Sequence, residues 1–280
     1  MKKFLIVLLL LTFGLVFVPA FADDGGALSQ SQMLDKARHQ LQTVLDLLNK
    51  NLSSAADSLT VLPPNTPDSD AVLTKLSNSL PGIVDVAFID PNGIISAIKP
   101  DTYMRFEGKN LSKQAQFSKL KSTLKPVTSP IFTATEGYYS VAFQYPIITP
   151  QGNWIGAVSC LTDAISFLGD VLEPLNQDQP QRYYFTVIQK DGCIVYDSDP
   201  AQINLNVFTN PLYKKQPGLR DAAKLYCKTL DGTTTFKATL HKTQYTVKSM
   251  WSTVTVYGMD WRVVVSDVIG MKTPPPSLLK

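Results

Sequence analysis

Val86-Ala87-Phe88-Ile89-Asp90-Pro91-Asn92-Gly93-Ile94-Ile95 reads as a strand, a tight turn and a returning strand, and is answered by Tyr184-Phe185-Thr186-Val187-Ile188-Gln189-Lys190-Asp191-Gly192-Cys193-Ile194-Val195. In each copy a β-rich run meets a turn closed by glycine, the residue that adopts positive φ without strain, and an apolar run returns. The closing ends match as well. Gly152-Asn153-Trp154-Ile155-Gly156-Ala157-Val158-Ser159 corresponds to Gly258-Met259-Asp260-Trp261-Arg262-Val263-Val264-Val265-Ser266. An opening hairpin and a Trp-bearing closing strand, recurring in the same order about a hundred residues apart, mark an internal duplication.

Between these landmarks the first half carries a helix over 112–124 and β-type runs at 127–134, 138–148 and 154–161. Two strands, a helical crossing and three antiparallel strands make a five-stranded sheet with helices on one side, a PAS-like α+β arrangement. A connecting helix at 163–176 and a linker at 177–181 lead into the second half, where β-runs at 233–240 and 244–257 fill the second sheet. Upstream, Leu34, Ala37, Leu41, Val44, Leu45, Leu48, Leu52, Ala55 and Leu59 recur at three- and four-residue spacings, which predicts one amphipathic helix over 27–60. At ~1.5 Å per residue it is roughly 50 Å long, enough to brace two modules side by side. Pro63-Pro64 and Pro67 stop it, and Asp68 or Ser69 is expected to cap a second helix running to Leu80. The expected fold is α+β: a long N-terminal helix (23–62), then two PAS-like modules (63–176 and 182–269), each an antiparallel sheet of about five strands flanked by helices.

A chain of 280 residues with 44% hydrophobic and 18% charged residues is long enough for such cores, and its two His and three Cys leave little material for a metal site. No cofactor is expected. Lys and Arg are interleaved with nearly as many Asp and Glu, which argues against nucleic acid as a partner. Lys2-Lys3, an apolar stretch over 4–18 and Pro19-Ala20-Phe21-Ala22 form an export leader (1–22) with a small-x-small cleavage site. Without those two lysines the formal charge falls from +3 to +1. Fifteen apolar residues are short against the ~20 of a spanning helix. The expected location is therefore periplasmic or secreted; the alternative is an uncleaved tether facing outside, with dimerisation along the Leu34, Leu41, Leu45, Leu48 and Leu52 face. No second apolar stretch precedes the Pro-rich tail (270–280), so the chain is expected to pass its state, or its ligand, to an extracytoplasmic receptor or transporter. Cys193 and Cys227 could form one bridge and leave Cys160 over; three buried thiols is the preferred reading.

Three blocks are more specific: Gly108-Lys109-Asn110-Leu111-Ser112-Lys113-Gln114-Ala115-Gln116-Phe117, then Lys125-Pro126-Val127-Thr128-Ser129-Pro130, then Tyr145-Pro146-Ile147 ahead of Gly152 and Trp154-Ile155-Gly156. Together with the leader, the long helix and the duplication, they resemble the double Cache family of extracytoplasmic sensor domains over about 27–269. The resemblance implies that the first module holds a small organic ligand between its sheet and the helix after Gln114, and that the second relays the signal. In the amino-acid-binding version of the family an arginine holds the carboxylate, aromatics lie beside it and two aspartates hold the ammonium. The arginine position falls here on Gln114, its aromatic neighbour on Gln116, a further aromatic on Val127, and the aspartates on Ser129 and Leu161; Phe117 alone keeps its type. Glutamine provides no charge-assisted bidentate pair and leucine accepts nothing from an ammonium, so the expected ligand is neutral or weakly polar rather than a free amino acid.

The candidate ligand-binding residues are therefore Gln114, Gln116, Phe117, Ser129, Leu161, Tyr103 and Tyr139. Gln114 and Gln116 have a solvated helix face as their plain alternative, and the tyrosines a core or edge-strand role. Trp154 and Trp261 recur in both halves and read as packing residues. Catalysis is not expected: His39 and His241 lie in no catalytic motif, no phosphate loop appears, and Asp197-Ser198-Asp199-Pro200 reads as a turn or helix cap. A ligand-free protein-interaction module is the competing function.

Overall fold

The structure, a computed structural model, describes residues 27–240 and 243–269. The leader, the tail and His241 lie outside the described residues.

Helix α1 (Gln30–Leu59) opens on a capping box in which the Ser29 hydroxyl accepts from the Gln32 N–H while the Gln32 side chain accepts from the Ser29 N–H at 2.9 Å. Helix α2 (Pro67–Ser77) starts earlier than expected. Its cap is Thr66, paired with Ser69 in a second capping box, because Pro67 suits the first helical position, where no N–H is needed. It ends at Ser77 rather than Leu80.

The first sheet comprises β1 (Ile83–Ile89), β2 (Ile95–Lys99), β3 (Val127–Thr128), β4 (Phe132–Thr133), β5 (Tyr139–Ile148) and β6 (Trp154–Asp163), in the order β2-β1-β6-β5-β3, with β4 also paired to β5. The run expected over 127–134 is split because Pro130 has no N–H to give the ladder. Ser129 bridges the gap: its N–H donates to the Ala142 carbonyl at 2.9 Å and its hydroxyl accepts from the Ala142 N–H at 2.9 Å. Helix α3 (Ala115–Thr123) begins after Gln114, three residues later than the expected start at Ser112, whose N–H is held by the Asn110 side chain at 2.8 Å.

Helix α4 (Ala164–Leu172), capped by Asp163, and a 3-10 turn (Glu173–Asn176) lead to the second sheet. It comprises β7 (Tyr184–Gln189), β8 (Ile194–Asp197), β9 (Gly232–Leu240), β10 (Thr243–Val256) and β11 (Met259–Ile269), in the order β8-β7-β11-β10-β9. The path of five strands is the same as in the first sheet, and in both the closing strand pairs with the first strand of the opening hairpin. Helix α5 (Pro217–Lys228) lies between β8 and β9 and was not expected, although Leu219, Ala222, Ala223, Tyr226 and Cys227 carry the helical spacing.

The α1 stripe is buried against both sheets, where β5, β6, β10 and β11 meet it. One core runs through the molecule: the ring of Phe143 on β5 lies 6.0 Å from that of Phe167 on α4 and 6.3 Å, edge-on, from that of Trp261 on β11. Leu34, Leu41, Leu45, Leu48 and Leu52 are at most 6% exposed, so the expected alternative of a dimer seam on this face is corrected: the chain's own sheets occupy it. Cys193 and Cys227 are not bridged, and Cys160 and Cys227 are buried as free thiols.

Candidate functional site

Successive side chains of a strand point to opposite faces, so the register of the first sheet fixes what each face carries. Val86, Cys160 and Phe143 stand in one cross-strand row towards α1. On the other face Asp85, Leu161 and Ala142 form one row, and Ala87, Ser159 and Gln144 form the next. These six residues line a cavity of 180 Å³, closed by β2, by Lys109, Leu111 and Gln114 ahead of α3, by Phe132 and Thr133 of β4, and by Thr135 and Glu136 after it.

Asp85 is the most unusual of these residues. It is 6% exposed, and no hydrogen bond within the described chain reaches its carboxylate. Burial pushes its pKa up to about 8, Glu136 adds to the rise and Lys109 opposes it. Two residues along the next row, Gln144 donates weakly to the Ser159 hydroxyl at 3.5 Å and leaves its own buried carbonyl oxygen without a donor. At the rim, the Lys109 ammonium donates to the Thr135 hydroxyl at 2.6 Å and lies 5.2 Å from the Phe106 ring centre. The cavity thus combines a floor of alternating apolar and polar residues, a buried carboxyl, an unpaired amide oxygen, and a cation and a carboxylate, Lys109 and Glu136, at the rim.

Of the residues singled out from the sequence, Gln114 and Leu161 line this cavity. Gln116 stands behind Gln114 and donates to its side chain at 2.8 Å. Phe117 is 1% exposed and packs under the cavity with Ala87, Ile95 and Ile98, its ring 6.2 Å from that of Trp154. Ser129 is spent on the β3–β5 ladder and lies off the wall. Tyr103 packs beside Phe132 and Leu161, and burial and the neighbouring Tyr138 raise its pKa to about 12. Tyr139 is 38% exposed and does not line the cavity. Sequence reasoning missed Asp85, Lys109, Glu136 and Gln144. A signal existed for the first: Ile83-Val84-Asp85-Val86-Ala87-Phe88 places one charge inside an otherwise apolar strand. Asp85 supplies the cavity with an anionic group from a strand outside the aligned blocks.

Residues 43–164 match the family model described as HK/GC/Chemotaxis protein-like, sensor domain. The structural neighbours are ligand-binding domains of chemoreceptors and related receptors, and the chain shares their tandem fold, the one the double Cache resemblance implied.

Three solved structures give the scale of the likeness. An extracellular ligand binding receptor from Desulfohalobium retbaense is 22% identical with a TM-score of 0.70 over 85% of this chain; the match spans 40% of that receptor's chain. The ligand-binding domain of the Pseudomonas fluorescens chemoreceptor CtaA, solved with L-alanine, is 14% identical with a TM-score of 0.62, covering 86% of this chain and 96% of that one. The periplasmic sensory domain of the Campylobacter jejuni chemoreceptor Tlp1 is 12% identical with a TM-score of 0.61, covering 89% and 96%. No curated protein matches the sequence. Among the described residues no helix is long and apolar enough to cross a membrane.

Proposed function

We propose that this chain is the ligand-binding part of an extracytoplasmic sensor, and that its first cavity takes a small organic ligand bearing an ammonium group. The observation that carries this reading is Asp85. A buried carboxylate without a donor is costly, and a ligand cation is its natural complement. Lys109 at the rim is available to a carboxylate on the same ligand, so amines and amino acids both suit the cavity's charges. A second reading keeps the neutral or weakly polar ligand expected from the sequence. With its pKa near 8, the unliganded Asp85 is largely protonated at neutral pH and can donate a hydrogen bond to a neutral acceptor. No catalytic step is proposed. Export of the chain and delivery of its state to an envelope receptor or transporter complete the proposal, in keeping with the extracellular and periplasmic settings of its structural neighbours.

The test is a thermal-shift panel of amines, amino acids, purines and neutral or anionic metabolites. A ligand at a hundred times its dissociation constant adds ~2.7 kcal/mol and raises the midpoint by roughly 5–10 °C in domains of this size. The expected result is a hit within the ammonium-bearing set that Leu161→Phe, which fills the cavity, abolishes. Silence across the panel would favour a ligand-free interaction module.

A further inference from the structure

The second module encloses a cavity of its own, 80 Å³ in volume, between its sheet and α5. Its walls are mainly apolar, with the rings of Tyr213, Tyr226 and Phe236 beside Ile188, Ala223 and Val264. At ~10–15 Å³ for each water-sized occupant it has room for roughly five to eight heavy atoms. One end is polar. Asp197 is 6% exposed and accepts from the Thr186 hydroxyl at 2.7 Å, the Asp199 N–H at 2.8 Å and the Gln202 amide at 3.3 Å. The Tyr213 hydroxyl in turn donates to Gln202 at 3.1 Å.

All of the donors on Asp197 are neutral, and the charges that act on it are acidic. Burial pushes its carboxyl up to about 7; Thr186 and the Asp199 N–H pull it down, and Asp199 and Glu173 push it up. Glu173 has its own cation in Arg182 at 3.0 Å. A buried carboxyl at the end of an aromatic-walled cavity, with no basic side chain among the described residues that line it, lacks one kind of partner.

We propose that this second cavity binds a short primary amine with a compact apolar body. Its ammonium sits on Asp197 and its hydrocarbon or aryl part lies among Tyr213, Tyr226 and Phe236. Charge-assisted hydrogen bonding in a desolvated site holds the head, ring faces favour a nearby cation, and the wall supplies the burial. Anionic ligands are disfavoured by the three carboxylates. The assignment stands apart from the reading of the first cavity, which shares none of these residues.

The experiment is titration calorimetry of the full chain with benzylamine and butylamine, using benzyl alcohol and butanol as neutral counterparts. It is run on the unmodified chain, Asp197→Asn, Ala223→Leu and Asp85→Asn, alongside methyl NMR of Ala223 and Ala238. Benzylamine is expected to bind, to perturb both alanine methyls, to weaken at least tenfold in Asp197→Asn and Ala223→Leu, and to be unaffected there by Asp85→Asn. The methyl shifts place the ligand in the unmodified chain even where a variant fails to fold. Absence of binding at millimolar amine, alcohols that bind as well as amines, unshifted methyls, or loss in Asp85→Asn alone would each overturn the assignment.

Discussion

The side-chain amide of Asn204 donates to the Thr133 hydroxyl at 3.2 Å, which joins the loop after β8 in the second module to the wall of the first cavity. Asn204 sits at φ 62°, a left-handed conformation that asparagine tolerates better than most residues. Its N–H is fixed to the Ile194 carbonyl at 2.8 Å, and Gln202, two residues upstream, holds Asp197. This contact is therefore expected to carry occupancy of the first cavity into the second module.

Asn204→Gly keeps the backbone and removes the link. The expected outcome is that a ligand of the first cavity protects the amides of 203–207 from hydrogen exchange in the unmodified chain and does so less in Asn204→Gly. Equal protection in both would remove this contact from the route.

Stability is expected to fall as pH rises from about 4 to about 8. Asp85 and Asp197 have folded-state values raised to about 8 and about 7, so across this window the folded chain holds protons that the unfolded chain has released. Their stabilisation is complete below the unfolded value near 4 and is lost as pH climbs through the folded values. Thermal midpoints measured from pH 5 to pH 9 should decline, and Asp85→Asn and Asp197→Asn should each flatten part of that decline.

Leu45→Ala is expected to cost about 2–5 kcal/mol, the usual range for a core leucine, because Leu45 is 2% exposed within the joint core. Since α1 contacts both sheets, calorimetry should show both modules shifting together in one transition. Two separated transitions would contradict a shared core.

Gly156→Ala should destabilise by about 2 kcal/mol or more. Gly156 has φ 139°, and a Cβ there would stand 2.3 Å from the Ile89 carbonyl oxygen, so β1 and β6 could not keep their spacing. Denaturant titration checks this.

The architecture was readable because its signals are local and repeated: the Asp90-to-Gly93 turn, the Asp191-Gly192 turn, the two Trp strands and the α1 stripe each specify structure over a few residues. Helix α5 escaped because its stripe uses small residues, Ala222 and Ala223, between Leu219 and Tyr226, a weak contrast against a polar background. The site was only half legible. Gln114 and Leu161 follow from the family resemblance, but Asp85 meets Leu161 only through antiparallel register between strands far apart in sequence. Lys109 and Glu136 likewise converge on the cavity from separate loops. The place of Ser129 off the cavity wall was illegible for a related reason, since nothing local shows that its hydroxyl takes over a ladder bond beside a proline.

Receipt of a ligand ammonium by Asp85 is tested by calorimetric titration with L-alanine, propylamine and neutral propionamide between pH 6 and pH 9. With Asp85 protonated below about 8, ammonium binding must expel that proton, so affinity should rise with pH up to about 8 and level off. L-alanine or propylamine is expected to bind with that profile and to be weakened at least tenfold in Asp85→Asn. Binding of propionamide alone, an affinity that falls as pH rises, or an Asp85→Asn variant that binds unchanged would contradict it.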